Sequence, residues 1–428
     1  MANVELPGWD LWMTFIRNVH VLPATLDVQR FRESLRVALQ WYPHAAGRLK
    51  SGGARWSILL TQSTVPIEVT VLESVNVGIQ DDHVVQGDLK RYLHSEQGAA
   101  DPANNDQPLL WFKMTMAKEQ AAIGVSWNHI LGDATTFLRF MRTLSHAYQG
   151  IPLPDPAPTF AKHTFPIPPQ ETIEQHEPLM PHLAHTYHRS ELAAQYAGMN
   201  RDVVRVDVRV SGAALGRLVD VVRARTRERA VSRQDCLTAY VVTVLNRCGA
   251  GSIDVVANAA SYRNIAAPWI DAAVAGNPIY IVRTDLGRGA QRLSDIALTI
   301  RRSIEKWREP AFIGAHMSVA SQLMLGAANA RRSMFFAAEL GVLSVNSNLS
   351  LDWQSADFGY PSRARFHTSG INERYLRTFH VNPDPKDHGQ GENIEMSFGV
   401  STSLRDKVVD MLATELDSTA FPVNLDVL

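Results

Sequence analysis

The chain has 428 residues and a mass of 47.5 kDa, with 45% hydrophobic and 20% charged residues. That composition excludes a wholly disordered or collagen-like chain, and at about 100–200 residues per domain it favours two or three domains. Forty-two Lys and Arg against 43 Asp and Glu leave a net charge of −1, so the basic excess of a nucleic-acid-binding protein is absent and an anionic ligand needs a local basic patch.

The N-terminus lacks the basic and apolar regions of a signal peptide. No run approaches the ~18 consecutive apolar residues of a membrane span. Asp27 is placed to cap a helix with Val28, Phe31, Leu35, Ala38 and Tyr42 on one face, ending at Pro43. Leu110, Phe112, Met114 and Met116 alternate as in a half-buried strand, and Ile123, Val125 and Trp127 repeat that period. Phe137, Met141, Leu144 and Tyr148 return to helical spacing. Nine of the 22 prolines then fall between Pro152 and Pro181, which reads as an extended crossover.

Beyond the crossover, Val204, Val206, Val208 and Val210 alternate with charged residues as a strand. Ser232 and Asp235 form a capping-box pattern before Leu237, Tyr240, Val241, Val244 and Cys248 on a helix face. This puts both cysteines, Cys236 and Cys248, in a core. Two cysteines are too few for a disulfide framework or a zinc site, and a cytoplasmic protein is expected. Ile394, Met396, Phe398 and Val400 form a further strand, followed by a last helix opened by Ser403 and Asp406. The alternation predicts two α/β domains with mixed sheets, divided as 1–165, a crossover over 166–200, and 201–428.

No phosphate-binding glycine loop is present. His182, His185 and His188 are spaced by three but have no acidic or cysteine ligand between them. A solvated linker is expected there, and no metal. His129-Ile-Leu-Gly-Asp133 is one of two His-x-x-x-Asp matches, where chance alone supplies about 0.7. The second, His380 to Asp384, carries Pro383 and reads as a loop. The first sits where strand period gives way to helix period, so His129 ends a strand at a sheet edge and Asp133 caps the next helix. A hydrogen-bonded core histidine and a plain N-cap are the bland alternatives.

Several segments together resemble the BAHD acyltransferases, plant and fungal enzymes that use acyl-CoA. They are Tyr42-Pro43 with Ala46-Gly47-Arg48-Leu49, Ser126-Trp127-Asn128-His129 with Asp133, Ser232 to Ala239, Gly276-Asn277, and Asp357-Phe358-Gly359-Tyr360-Pro361. The chain departs from that family at Ala134, at Tyr360-Pro361, and at Asn346-Ser347-Asn348 in place of Thr-Ser-Trp. The resemblance implies two chloramphenicol-acetyltransferase-like α/β domains with mixed sheets flanked by helices, joined by a long crossover. It implies acyl-CoA as co-substrate, no permanently bound cofactor, a small-molecule acceptor, no nucleic-acid partner and a monomer.

It further implies that His129 is the general base, a role suited to a pKa of ~6.5. Asp133 then supports the histidine loop by pairing with an arginine. A structural salt bridge is expected between Asp357 and Arg263, with Gly359 in the same motif. Asn346 or Asn348 is expected to donate to the oxyanion. The basic pairs Arg301-Arg302 and Arg331-Arg332 are weighed for the CoA phosphates, against solvated helix faces. Two other readings stay open: a condensation-type enzyme using carrier-bound acyl groups, and an inactive member that only binds CoA or a small molecule.

Overall fold

A computed structural model describes residues 2–75, 78–80, 84–86, 89–95, 103, 105–249, 251–287, 292–334, 340–370, 372–383 and 393–417. Asp384, the end of the second His-x-x-x-Asp match, lies outside the described residues. The larger elements of the first half are strand β1 (Phe15–Leu22), helix α1 (Val28–Trp41), strands β2 (Ile67–Val71), β3 (Leu110–Met116) and β4 (Ala121–Asn128), and helix α2 (Ala134–Gln149). The second half continues with β5 (Val203–Val210), α3 (Gly212–Thr226), α4 (Arg233–Cys248), β6 (Val255–Ser261), β7 (Ile279–Asp285) and α5 (Leu293–Lys306). It ends with α6 (Pro310–Asn329), β8 (Val342–Ser347), β9 (Arg365–Thr368), β10 (Tyr375–His380), β11 (Ile394–Ser401) and α7 (Arg405–Asp417).

The helix ends form where local chemistry dictates. Asp27 Oδ1 accepts from Arg30 N at 2.9 Å and opens α1, and Pro43 follows its end. The reciprocal Ser232–Asp235 box opens α4. Both cysteines of α4 are buried, and burial with Asp235 pushes the Cys236 thiol up to about 12. In β11, Ile394, Met396, Phe398 and Val400 face the helices. Each such buried side chain stabilises the fold by about 1.5–3 kcal/mol relative to exposure.

Two large mixed sheets result. The first has the order β9-β1-β4-β3-β2, with only β3 and β2 parallel. The second has the order β5-β11-β10-β8-β6-β7, with β10-β8 and β8-β6 parallel. A division at the crossover omits one exchange: β9 comes from the second half but pairs with β1 of the first sheet, Phe366 opposite His20. The sheets are therefore stitched together.

The crossover is extended only up to Pro169. Helices at Gln170–His176 and Arg189–Met199 follow once the prolines thin out. Among the described residues, α6 alone is long and apolar enough to cross a membrane. It serves instead as a core helix: Ile313, Met317 and Met324 bury against Trp9, Trp12 and Trp307.

Candidate active site

His129 begins the turn that leaves β4, where the strand hands over to α2. Its N–H donates to Thr14 O at 2.8 Å, which ties the turn to the residue before β1. Gly132 turns the chain at φ 140°, and a Cβ there would meet the Thr136 side chain at 2.7 Å. The Trp127 indole N–H donates to Gly132 O at 2.9 Å, and the buried His44 donates through Nε2 to Leu131 O at 3.0 Å. The loop is clamped from both sides.

Asn277, in the loop before β7, fixes the histidine's protonation. Its Nδ2 donates to Asp10 Oδ1 and to His129 O, each at 2.9 Å. Those two acceptors orient the amide, so Oδ1 faces His129 Nδ1 at 2.8 Å. An amide oxygen only accepts, so Nδ1 carries the proton and Nε2 keeps its lone pair. Asp10 is itself fixed: Oδ1 also accepts from Asn277 N at 2.8 Å, and Oδ2 pairs with Lys162 Nζ at 2.9 Å. Four stretches of chain thus meet in one row, Lys162–Asp10–Asn277–His129.

Trp12 stacks on the His129 ring, with centroids 5.3 Å apart. Burial lowers the His129 pKa, opposed by the charge of Asp133 and by the bond to Asn277. The result is a neutral imidazole with a basic Nε2 at neutral pH.

Asp133 does not touch the imidazole. Its Oδ1 caps α2 through Thr136 N at 3.0 Å and pairs with Arg263 Nη2 at 2.9 Å, in a setting where the two side chains are 4% and 5% exposed. Arg263 also donates to Thr136 Oγ1, Gly276 O and Val274 O. A buried carboxylate and guanidinium are retained only when paired and hydrogen-bonded. This pair joins the start of α2 to the loop that carries Asn277.

A family model described as the Transferase family matches residues 12–397. The chain belongs to the BAHD acyltransferase family. It is similar to rosmarinate synthase of Plectranthus scutellarioides, 25% identical over 228 residues, which is 47% of this chain; the match spans half the length of that relative. In fold it is similar to TRI101 of F. sporotrichioides, solved with coenzyme A and T-2, at TM-score 0.66 and 14% identity over 96% of this chain and 97% of that one. Vinorine synthase is also similar, at TM-score 0.65 and 17% identity, covering 96% and 94%. These likenesses bear out the two-sheet α/β architecture expected of a BAHD acyltransferase.

Within this BAHD acyltransferase two expectations need correction. Asp357 does not pair with Arg263. Its Oδ1 accepts from Gln149 Nε2 at 3.0 Å and from Gly359 N at 2.9 Å. Gln149 ends α2 whereas Asp133 precedes its start, about 24 Å away at 1.5 Å per residue. One arginine cannot serve both ends. The Asp357-Phe358-Gly359 turn instead pins the far end of α2, with Phe358 N donating to Ser145 Oγ at 2.9 Å and Gly359 at φ 93°.

The second correction concerns Asn348. It is buried, accepts from Trp353 Nε1 at 3.1 Å and turns its Nδ2 toward Asn346 O and Oδ1, both at 3.3 Å. Its donor is therefore spent inside the protein. Asn346 is half-buried and donates to Tyr375 OH at 3.1 Å.

The other sequence candidates are scattered. Arg301 is engaged with Asp235 at 2.6 Å, and Arg332 donates to Thr186 Oγ1 at 2.9 Å. His188 accepts from Ser190 N at the start of its helix. His182 is not simply solvated: burial and Arg283 push it down to about 4. Among the described residues no group of three or more His, Cys, Asp or Glu side chains is placed to hold a metal. Asp10 and Lys162 carry no sequence signal of their own. Asn277 had one, the Gly-Asn pair, but nothing local to show that it reaches His129.

Proposed function

We propose that this protein transfers an acyl group from an acyl-CoA thioester directly to a hydroxyl or amine of a small-molecule acceptor, with His129 Nε2 as the general base. The observation that carries this reading is the tautomer set by Asn277. Nε2 is left basic without a neighbouring charge having to act as relay. Family membership supports the acyl-CoA donor, and TRI101, a structural neighbour, was solved with coenzyme A.

In this scheme Nε2 takes the acceptor's proton as its oxygen or nitrogen attacks the thioester carbonyl. The tetrahedral intermediate collapses, the C–S bond breaks, and the CoA thiolate takes the same proton back from Nε2–H. The products are the acylated acceptor and free CoA. No acyl-enzyme is needed, in keeping with two cysteines that are both buried. Asp133, Arg263 and Asn277 are positioning residues, Asp357 and Gly359 anchor α2, and Asn346 is the remaining asparagine candidate for the oxyanion. The reading includes a monomer acting in the cytoplasm on a specialised metabolite.

His129→Ala tests it by CoA release with a competent donor and acceptor. A loss of about 10²–10⁴-fold in kcat is expected. Full turnover by the variant would overturn the assignment.

A further inference from the structure

Once Nε2 holds the acceptor's proton, His129 is an imidazolium. Any group that favours the charged ring over the neutral one then lowers the barrier. Two carboxylates act on the ring, Asp133 and Asp10. Each already faces a cation: Asp133 pairs with Arg263 and Asp10 with Lys162, both at 2.9 Å. The net charge of each pair is zero, which leaves the imidazolium little counter-charge of its own. The other titratable groups around the row add none. Burial pushes His44 down to about 3, so it is neutral, and burial pushes the Tyr262 hydroxyl up. Asn277 takes the Nδ1 proton in a hydrogen bond but is uncharged.

The face of the ring is different. Trp12 is 3% exposed and lies over the imidazole with the two planes 24° apart and the centroids 5.3 Å apart. An indole face is electron-rich and attracts a cation held within about 6 Å of its centroid. It attracts a neutral imidazole far less. The contact therefore strengthens as the ring takes up its proton, which is what a transition-state interaction requires.

Trp12 is held in that place by the segment before it. The turn Gly8–Asp10 sits on α6, where Trp9 N donates to Ser321 Oγ at 3.1 Å and a Cβ on Gly8 would strike Ser321 O. The Trp9 ring packs T-shaped with Trp12 at 5.0 Å, and its Nε1 donates to Asn277 O at 2.7 Å. One short segment thus brings Asp10 to Asn277, behind the Nδ1 edge of the histidine, and Trp12 to its face.

We propose that Trp12 is a positioning residue for His129, whose indole face stabilises the imidazolium formed during acyl transfer. This rests on the acyl-transfer reading and adds a residue to it. The test replaces Trp12 in the full chain, by nonsense suppression, with tryptophans carrying one to four fluorine atoms. Fluorine withdraws charge from the indole face and nearly keeps its shape. Each protein is assayed for CoA release across pH, titrated by NMR with labelled histidine to read the His129 pKa, and melted.

Across the series kcat is expected to fall step by step, by about 2- to 30-fold in all, the range of a cation–π contact. KM for acyl-CoA should hold, the His129 pKa and the acid limb of kcat/KM should move lower, and the melting temperature should stay constant. Trp12→Phe, with a weaker face, should lie between the ends of the series. A series flat in kcat and in His129 pKa overturns the proposal and leaves the acyl-transfer reading standing. A melting temperature that falls in step with kcat, at an unmoved pKa, would make the contact merely structural and overturns it too. The NMR titration needs no turnover, so a pKa that falls along the series in a protein that transfers no acyl group upholds the contact and sinks the acyl-transfer reading.

Discussion

Replacing Asn277 by Ala isolates the tautomer argument. The substitution removes the acceptor of His129 Nδ1–H at 2.8 Å and the two Nδ2 donations to Asp10 and His129 O. In the ground state the lost histidine bond joins two neutral groups and contributes about 1 kcal/mol. As Nε2 takes the acceptor proton the ring becomes imidazolium, and the same bond becomes charge-assisted, worth about 1.5–3 kcal/mol. Only the excess in the transition state slows the reaction, and the free ring can also adopt the unproductive tautomer. The two effects together predict a fall in kcat of about 10- to 100-fold, with KM for acyl-CoA little changed.

The pH profile separates this from simple loosening of the loop. The bond to Asn277 raises the His129 pKa against the lowering by burial, so its loss should move the acid limb of kcat/KM to lower pH. Steady-state kinetics of CoA release between about pH 5 and 9 measures both quantities. A variant whose kcat stays within about twofold of wild type, with an unmoved acid limb, would show that Asn277 does not set the His129 tautomer.

In the wild type, burial dominates the His129 shift, so kcat/KM should be flat at neutral pH and fall only below the usual ~6.5; an acid limb above that value would contradict it. Arg263→Ala leaves Asp133 buried and unpaired and should destabilise by about 3–5 kcal/mol in a denaturant melt. Asp357→Ala should cost only about 1–2 kcal/mol. Because these two residues do not touch, the double variant should be additive within about 0.5 kcal/mol; strong coupling would restore the Asp357–Arg263 pairing.

Burial pushes His20, His44, His316 and His367 each down to about 3. Their folded pKa lies below the unfolded ~6.5, so the stability they permit is full above that value and lost as pH falls toward 3. At pH 5 each takes away about 2 kcal/mol, and four together approach the whole stability of a domain. Circular dichroism should show unfolding between about pH 6 and 4, and an unchanged melting temperature at pH 5 would count against their burial. Gly132→Ala should cost about 1–3 kcal/mol and most of the activity, because the new Cβ strikes Thr136; a fully active, equally stable variant would show that the loop geometry is dispensable.

Elements whose chemistry is local follow from the residues alone. The Asp27 cap, the Ser232–Asp235 box, the alternation of 394–400 and the strand-to-helix switch at 129–133 are decided by neighbours within four residues. Asp133's capping role was legible for the same reason, and the coupled motifs carried the family. The long-range partners follow from the packing of the folded chain. Asp357 and Asp133 are both acids near one helix, and nothing in their spacing says which end of α2 meets Arg263.

The row Lys162–Asp10–Asn277–His129 joins positions up to 267 residues apart, and two of its members, Asp10 and Lys162, have no signal in the residues around them. The insertion of β9 beside β1, with Phe366 opposite His20, is likewise a property of how the two sheets meet. Periodicity reports which face of an element is buried. Which polar group faces which across a seam depends on the packing of whole sheets, and that packing sets the tautomer of His129.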